Sequence, residues 1–196
     1  QFGNNTAGFT TDMAETLAIT YVVIAAIPAA TGPDTSQVRF IGTFAGGASA
    51  RTGASIGIAT SAVSGSLPNG QEGYGGYVTL NATTLANFGT ITNGPLSRKT
   101  TLRFMGLSID PTNSKIIKYM PLFDGVTPTE LPTTGLSTRL MNGNVKIGLW
   151  SNPGDAGGFG AYQILHAAVW RSALNSANLK AEWQRLKQMY ASYGSI

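Results

Sequence analysis

One Gly-x-Ser-x-Gly segment and the chain's single histidine are the features that first suggest catalysis. The segment is GASIG, residues 53–57, and Ser55 with a later Asp110, Asp124 or Asp155 and then His166 would follow the hydrolase order of nucleophile, acid and base. That chemistry needs a strand, a sharp turn and a helix to expose Ser55. The residues that follow, IGIATSAVSGSLPNG, are rich in Gly, Ser and β-branched types and form helices poorly. We therefore interpret the pattern as a chance match and predict no catalytic residue.

Paired carboxylates are the second chemistry to consider. Glycoside hydrolysis uses two carboxyl groups about 5–10 Å apart on either side of the scissile bond. Nine acidic residues are present, and Asp12 and Glu15 are the closest pair in the sequence. Both precede an apolar segment, where we interpret them as solvated or turn residues. The sequence therefore predicts a protein that is not an enzyme.

Oxygen-rich loops raise the question of a metal. Cysteine is absent, which excludes disulfides, thiolate metal sites and Cys nucleophiles. The segments DPTNS, residues 110–114, and SNPGDAGG, residues 151–158, carry the oxygen ligands that Ca²⁺ prefers. Asp and Asn in such segments more often build turns. The sequence thus predicts no certain cofactor, leaves calcium open, and assigns no metal ligand.

Aromatic residues in polar, glycine-rich loops indicate recognition. Sugars stack their C–H faces on aromatic rings while Asn and Asp bind the hydroxyl groups. Such residues occur in GQEGYGGY and around SNPGDAGG. The predicted ligand-binding residues are Tyr74, Tyr77, Trp150, Asn152, Asp155 and Phe159. For Tyr77 and Trp150 the alternative is that they are strand residues buried in the core.

Composition places these residues in one domain that spans residues 1–196. The chain is 42% hydrophobic but only 11% charged, against roughly 25% in typical globular proteins. Thr, Ser, Asn and 25 Gly must then supply the polar surface, which suits a β-rich secreted or virion protein. The net charge of +4 comes from 13 scattered basic residues, so nucleic-acid binding is not predicted.

The segment LAITYVVIAAIPAATG, residues 17–32, resembles the apolar region of a signal peptide followed by small residues, and its apolar stretch runs from residue 17 to residue 30. Asp12 and Glu15 precede it where a signal would carry Lys or Arg. The stretch is also too short to cross a bilayer as a helix. We predict a core strand here and no membrane insertion.

Short β-branched and apolar segments recur along the chain between turn signals such as Asn69-Gly70 and Asn142-Gly143. The predicted strands are residues 17–27, 37–44, 55–60, 77–80, 100–110, 115–123, 144–150 and 162–170. Only one helix is predicted. After Asn175 or Ser176 as N-cap, an apolar stripe recurs at helical spacing, formed by Leu179, Trp183, Leu186 and Tyr190.

These elements predict an all-β fold, a two-sheet antiparallel β-sandwich with one short C-terminal amphipathic helix on the outside of a sheet. The segment ILHAAVWRSALNSANL, residues 164–179, resembles the closing signature of laminin-G-like and concanavalin A-like lectin–glucanase jelly-roll domains. Ile164, Val169, Trp170, Ala173 and Leu174 match the family's apolar and aromatic positions. Further segments resemble the family in its order, from LAITYVVIAAIPA to VKIGLWSNPGDAGGFGAYQIL.

The resemblance implies a jelly roll and a non-catalytic module that recognises carbohydrate or a host surface, in an extracellular or phage virion protein. Its partners would be a glycan or cell-surface receptor, bound by loops at residues 69–77 and 150–160. His166 stands where the family commonly has Glu, so we expect it to be at least partly buried, hydrogen-bonded and neutral. One alternative is a structural virion or surface-assembly module that contacts other subunits. Another is a divergent polysaccharide-active enzyme.

Overall fold

The computed structural model describes most of the 196-residue chain, in eight ranges. These are residues 8–26, 39–45, 50–58, 72–92, 102–121, 125–150, 163–194 and 196. The strands are β1 (Gly8–Ala14), β2 (Ile19–Ala26), β3 (Arg39–Gly42), β4 (Ala54–Ile58), β5 (Glu72–Thr79), β6 (Leu85–Thr92), β7 (Arg103–Asp110), β8 (Lys115–Tyr119), β9 (Thr129–Pro132), β10 (Asn144–Trp150) and β11 (Gln163–Trp170). Helix α1 (Ser176–Met189) follows the last strand.

Two antiparallel sheets pack face to face. Within the described ranges, one sheet has six strands in the order β1-β10-β3-β4-β5-β6, and the other has five in the order β11-β2-β7-β8-β9. Neighbouring strands are antiparallel throughout. The predicted β-sandwich is confirmed.

The main core lies between the sheets and follows strand alternation. On β2 and β7, every second side chain points to the other sheet, for example Val23 and Leu107. They pack against Ile41 and Ile56 of the six-stranded sheet. All eight residues of β2 and of β7 are buried, because these strands are covered on both faces. The part of the apolar stretch from Ile19 to Ala26 is therefore a core strand.

Helix α1 covers the outer face of the five-stranded sheet, as predicted. Leu179 and Leu186 are buried there, against the even-numbered residues of β2 such as Val22. Gly106 of β7 leaves space for the helix, since a Cβ atom at this position would lie 2.8 Å from Cδ1 of Leu179. Asn175 caps the helix, because its side chain accepts a hydrogen bond from the Asn178 backbone N–H at 2.9 Å.

One end of the sandwich is formed by strand ends from both sheets. Trp150, the last residue of β10, lies opposite Arg39 at the start of β3. In the other sheet, Gln163 at the start of β11 lies opposite Ala26 at the end of β2. Residues 15–18, which join β1 to β2, lie at the opposite end of the sandwich. The four positions Trp150, Arg39, Gln163 and Ala26 therefore lie at the same end. We call it the Trp150 end.

Three strands were not predicted from the sequence, and all three lie at sheet edges. They are β1, β6 and β9. Strand β1 is largely exposed, and Phe9 within it is 53% exposed. Strand β9 has only four residues and ends in Pro132. Strands β1 and β9 leave much of their side-chain surface exposed, so their sequences lack the apolar alternation that identifies a strand.

Candidate functional site

Ser55, the centre of the Gly-x-Ser-x-Gly match, lies inside strand β4. It pairs with Gly42 of β3 and Tyr77 of β5, and it is fully buried. His166 is on β11, in the other sheet. Ser55 therefore does not sit on the strand-to-helix turn that a hydrolase nucleophile requires.

The strand register brings two of the predicted ligand residues to one end of one sheet. The predicted loop at residues 69–77 is wrong from Glu72 onward, because these residues form β5 and Tyr74 pairs with Ile58 of β4 and Thr90 of β6. The backbones of Tyr74, near the start of β5, and Trp150, at the end of β10, both lie at the Trp150 end. Strands β3 and β4 separate them, and three strand spacings correspond to roughly 14 Å. Asn152, Asp155 and Phe159 lie outside the described residues.

Tyr77 belongs to a buried cluster with Phe44 and Arg39. The rings of Tyr77 and Phe44 are stacked with centroids 5.0 Å apart. The Arg39 guanidinium carbon lies 4.7 Å from the centroid of Tyr77 and 5.0 Å from that of Phe44. Tyr77 is only 4% exposed and Arg39 only 2%. This placement favours the alternative interpretation, in which Tyr77 is a packed strand residue.

A row of glycines crosses the six-stranded sheet beside this cluster. Gly57 of β4 lies opposite Gly75 of β5, which lies opposite Gly89 of β6. Arg39 and Trp150 continue the same row across β3 and β10. Adjacent glycines leave a strip of sheet without side chains and allow another group to approach the backbone closely. The sequence signal was the glycine in the middle of each strand segment, but the register could not be read from it.

The first calcium candidate, residues 110–114, is a turn. Asp110 Oδ1 accepts a hydrogen bond from the Asn113 backbone N–H at 3.1 Å, and Oδ2 accepts one from the Asn113 side chain at 2.7 Å. Ser114 takes a positive φ of 49°. Both carboxylate oxygens therefore bind within the turn. The second candidate, residues 151–158, lies outside the described residues, and no group of three or more His, Asp or Glu converges elsewhere in the described ranges.

Glu15 was interpreted as a solvated or turn residue, and the structure corrects this. It is buried and paired with Arg139, whose Nη1 lies 2.7 Å from Oε1. Oε2 accepts hydrogen bonds from the Thr43 hydroxyl at 2.6 Å and from the Asn142 backbone N–H at 2.8 Å. Burial, with the charge of Glu15, raises the pKa of Tyr21, whose hydroxyl lies 3.4 Å from Oε1. The network lies at the end opposite the Trp150 end and holds loops together.

His166 lies in the interface between β11 and α1. It is half-buried, and its Nδ1 lies 3.2 Å from the Tyr190 hydroxyl. Burial lowers its pKa below the ordinary value of 6.5, the nearby Glu182 carboxylate opposes that shift, and Arg185 adds to it. The expected partial burial and hydrogen bond are thus confirmed, and the direction of the pKa agrees with a neutral ring.

The fold is similar to that of solved structures with low sequence identity to this chain. The chain is similar to the CBM40 domain of a Ruminococcus gnavus IT-sialidase bound to α2,3-sialyllactose, with a TM-score of 0.57 and 14% identity, over 93% of this chain and 96% of that one. It is also similar to the binding domain of botulinum neurotoxin DC in complex with rat synaptotagmin II, with a TM-score of 0.54 and 8% identity, over 86% and 36%.

A third similar structure is the enzymatically active domain of tailspike protein 2 of bacteriophage CBA120, with a TM-score of 0.57 and 10% identity, over 90% of this chain and 25% of that one. The chain thus spans about a third and a quarter of the toxin and tailspike chains. At these identities the similarity establishes the β-sandwich fold. No family model and no curated protein matches the sequence. None of the helices in the described ranges is long and apolar enough to cross a membrane.

Proposed function

We propose that the chain is a single non-catalytic recognition domain that binds a glycan or a cell-surface receptor as part of an extracellular or phage virion protein. The ligand would bind at the Trp150 end, through Tyr74, Trp150 and the residues between 150 and 160. The laminin-G-like jelly-roll family is part of this proposal, and it rests on the resemblance of the closing segment. Calcium stays open, as does contact with other virion subunits.

The observation that supports the proposal is the strand register that runs from β10 through β3 and β4 to β5. It brings Tyr74 and Trp150, which are 76 positions apart by number, to one end of the same sheet. Their separation of roughly 14 Å exceeds one sugar ring and suits a short oligosaccharide or a peptide segment. Asn152 and Asp155 directly follow β10 in the sequence and would supply hydrogen bonds to hydroxyl groups.

The fold comparisons support the class of partner. One similar structure holds a sialylated sugar and another holds a protein receptor. The tailspike similarity supports the virion setting in the same indirect way. Tyr77 enters the proposal only as a residue behind the ligand surface, because its ring is already packed against Phe44.

A glycan array and a cell-binding assay test the proposal. We expect the chain to bind one class of glycan or one cell surface, and expect Tyr74→Ala, Asn152→Ala and Asp155→Ala each to weaken binding at least about tenfold, or 1.4 kcal/mol. Matched controls are Tyr193→Ala and Asp12→Ala, which remove an exposed tyrosine and an exposed aspartate elsewhere. Circular dichroism at increasing temperature checks that every variant stays folded.

Three outcomes would contradict the proposal. Binding that all three variants leave unchanged would place the ligand elsewhere. Absence of any glycan or cell binding, together with assembly into large oligomers, would favour the structural module. Release of reducing ends from polysaccharides that His166→Ala abolishes would favour the enzyme.

A further inference from the structure

The contact between His166 and the end of α1 differs from the rest of the helix–sheet interface. Around it, the described part of that interface consists largely of aliphatic and aromatic side chains, with Leu186 in the same buried cluster as β2 residues such as Ile24. His166 lies opposite Ile24 on β11, beside a register shift that leaves Leu165 without a partner in the pairing. A titratable ring is therefore placed where a hydrophobic side chain would be expected.

Among the described residues, only one of the two ring nitrogens of His166 has a hydrogen-bond partner. Nδ1 lies 3.2 Å from the Tyr190 hydroxyl, the residue that ends α1. Nε2 is buried and has no hydrogen-bond partner among the described residues. In the neutral ring, Nε2 is then one uncharged polar atom without a hydrogen-bond partner in the described residues. In the protonated ring, Nε2 would be a charged donor without an acceptor, which costs considerably more in a buried interface.

The charged groups around His166 do not offset that cost. From α1, Glu182 and Arg185 face the ring. The Glu182 carboxylate already accepts two hydrogen bonds from Arg185, at 2.8 and 2.6 Å. Tyr193 packs edge-on against Tyr190 in the short 3-10 turn that follows the helix, and β2 contributes the apolar Ile24. Among the described residues, the ring nitrogens have the Tyr190 hydroxyl as their one hydrogen-bond partner, and no carboxylate is paired with them.

We propose that protonation of His166 releases Tyr190 and the last turn of α1 from β11 while the sandwich stays folded. The Tyr190 hydroxyl can still accept a hydrogen bond from the protonated ring at Nδ1, but the charged Nε2 gains a partner, water, only once the segment lifts away. The sheets keep their own core, because the inter-sheet cluster does not include His166 or the end of α1. The device is separate from the proposed ligand residues, since none of them lies on α1 or β11.

The direction of the pH dependence follows from the position of the pKa. Burial holds the pKa of His166 below 6.5 while the segment is docked, and release returns it toward 6.5. Docking is therefore fully favoured above pH 6.5 and weakens as the pH falls from 6.5 toward the lower pKa of the docked form. For each pH unit by which the pKa of His166 in the docked form lies below 6.5, the equilibrium constant for docking falls about tenfold at acid pH.

Hydrogen exchange of the full chain, corrected for the intrinsic effect of pH, tests the proposal. Between about pH 7.5 and about pH 5, where histidine titrates, we expect protection of residues 186–190 to fall while β2 and β7 stay protected. In His166→Gln, which cannot titrate, the fall should disappear. In Tyr190→Phe, protection should be lower at every pH but should keep its pH dependence.

The proposal is overturned if wild type and His166→Gln show the same profile, or if β2 and β7 lose protection together with the helix end. If His166→Gln does not fold, the histidine signal of the wild-type chain decides the matter, since the chain has a single histidine. Titration below pH 6.5, accompanied by a change in the Tyr190 signals, supports the proposal. Titration at 6.5 without such a change refutes it.

Discussion

Arg139 and Glu15, 124 residues apart, form a fully buried ion pair, with Nη1 of Arg139 2.7 Å from Oε1 of Glu15. The guanidinium also donates to the backbone carbonyls of Thr16 and Leu17. Oε2 of Glu15 is bound by Thr43 and by the Asn142 backbone. Both charges are therefore hydrogen-bonded, which is the condition for holding them in a dry interior. The pair fixes the β1–β2 connection to the segment before β10.

Arg139→Ala tests how much this pair stabilises the fold. The substitution leaves the Glu15 carboxylate buried without its countercharge. We therefore expect the free energy of unfolding to fall by about 3–5 kcal/mol. Lys115→Ala is the matched control, because it removes the exposed ion pair with Glu130 and should change stability little. Urea unfolding measures both. Equal effects of the two substitutions would show that the buried pair is not a major source of stability.

Tyr77→Ala distinguishes a packed strand residue from a ligand contact. The substitution removes the ring that stacks on Phe44 and lies under Arg39. We expect it to lower the free energy of unfolding by about 3–5 kcal/mol, as for other large aromatic side chains in a core. Tyr193→Ala, a control that removes a ring exposed by 62%, should have a small effect. A stable Tyr77→Ala chain that no longer binds ligand would restore Tyr77 to the binding surface.

The sequence predicted the central strands and the helix because burial leaves a repeating signal in them. In α1, Leu179 and Leu186 are seven residues apart and reach the same face of the sheet. In β2, apolar residues fill both faces. The strands β1 and β9, at sheet edges within the described ranges, lack such a signal, since many of their side chains are exposed.

The long-range polar contacts could not be predicted in the same way. Nothing local in the sequence pairs Glu15 with Arg139, because the contact depends on how the loops meet at the end of the sandwich. The glycine row is similar: Gly57, Gly75 and Gly89 are visible in the sequence, but only the strand register aligns them. For the candidate site, the sequence indicated the residues, and the register added that Tyr74 and Trp150 share one end of a sheet.

Gly106→Ala tests how α1 approaches the sheet. The added Cβ would lie 2.8 Å from Cδ1 of Leu179 and 3.2 Å from a ring carbon of Phe104. Both neighbours are buried, so we expect a cost of about 1–3 kcal/mol from overpacking. Leu179→Ala relieves this clash, so the double variant should lose less stability than the sum of the single variants. Additive losses would mean that the helix shifts freely and that the glycine is not required for its approach.

Asn113→Ala tests the turn formed by residues 110–114, the first calcium candidate. Burial acts to raise the pKa of Asp110, but the hydrogen bonds from the Asn113 side chain and backbone, with the charge of Lys115, lower it below the ordinary value of 3.8. The stability that this carboxylate contributes is present above pH 3.8 and is lost as the pH falls through its lower pKa.

Asn113→Ala removes the side-chain donor at 2.7 Å and keeps the backbone donor, so the pKa of Asp110 should rise and acid unfolding should begin at higher pH. Carboxyl carbon NMR measures that pKa directly, and Asn178→Ala, which removes an exposed amide from α1, is the control. The same Asp110 titration in both variants would mean that the backbone and Lys115 hold the carboxylate without Asn113. Added calcium should leave the titration of wild-type Asp110 unchanged, because both of its oxygens are already bound within the turn.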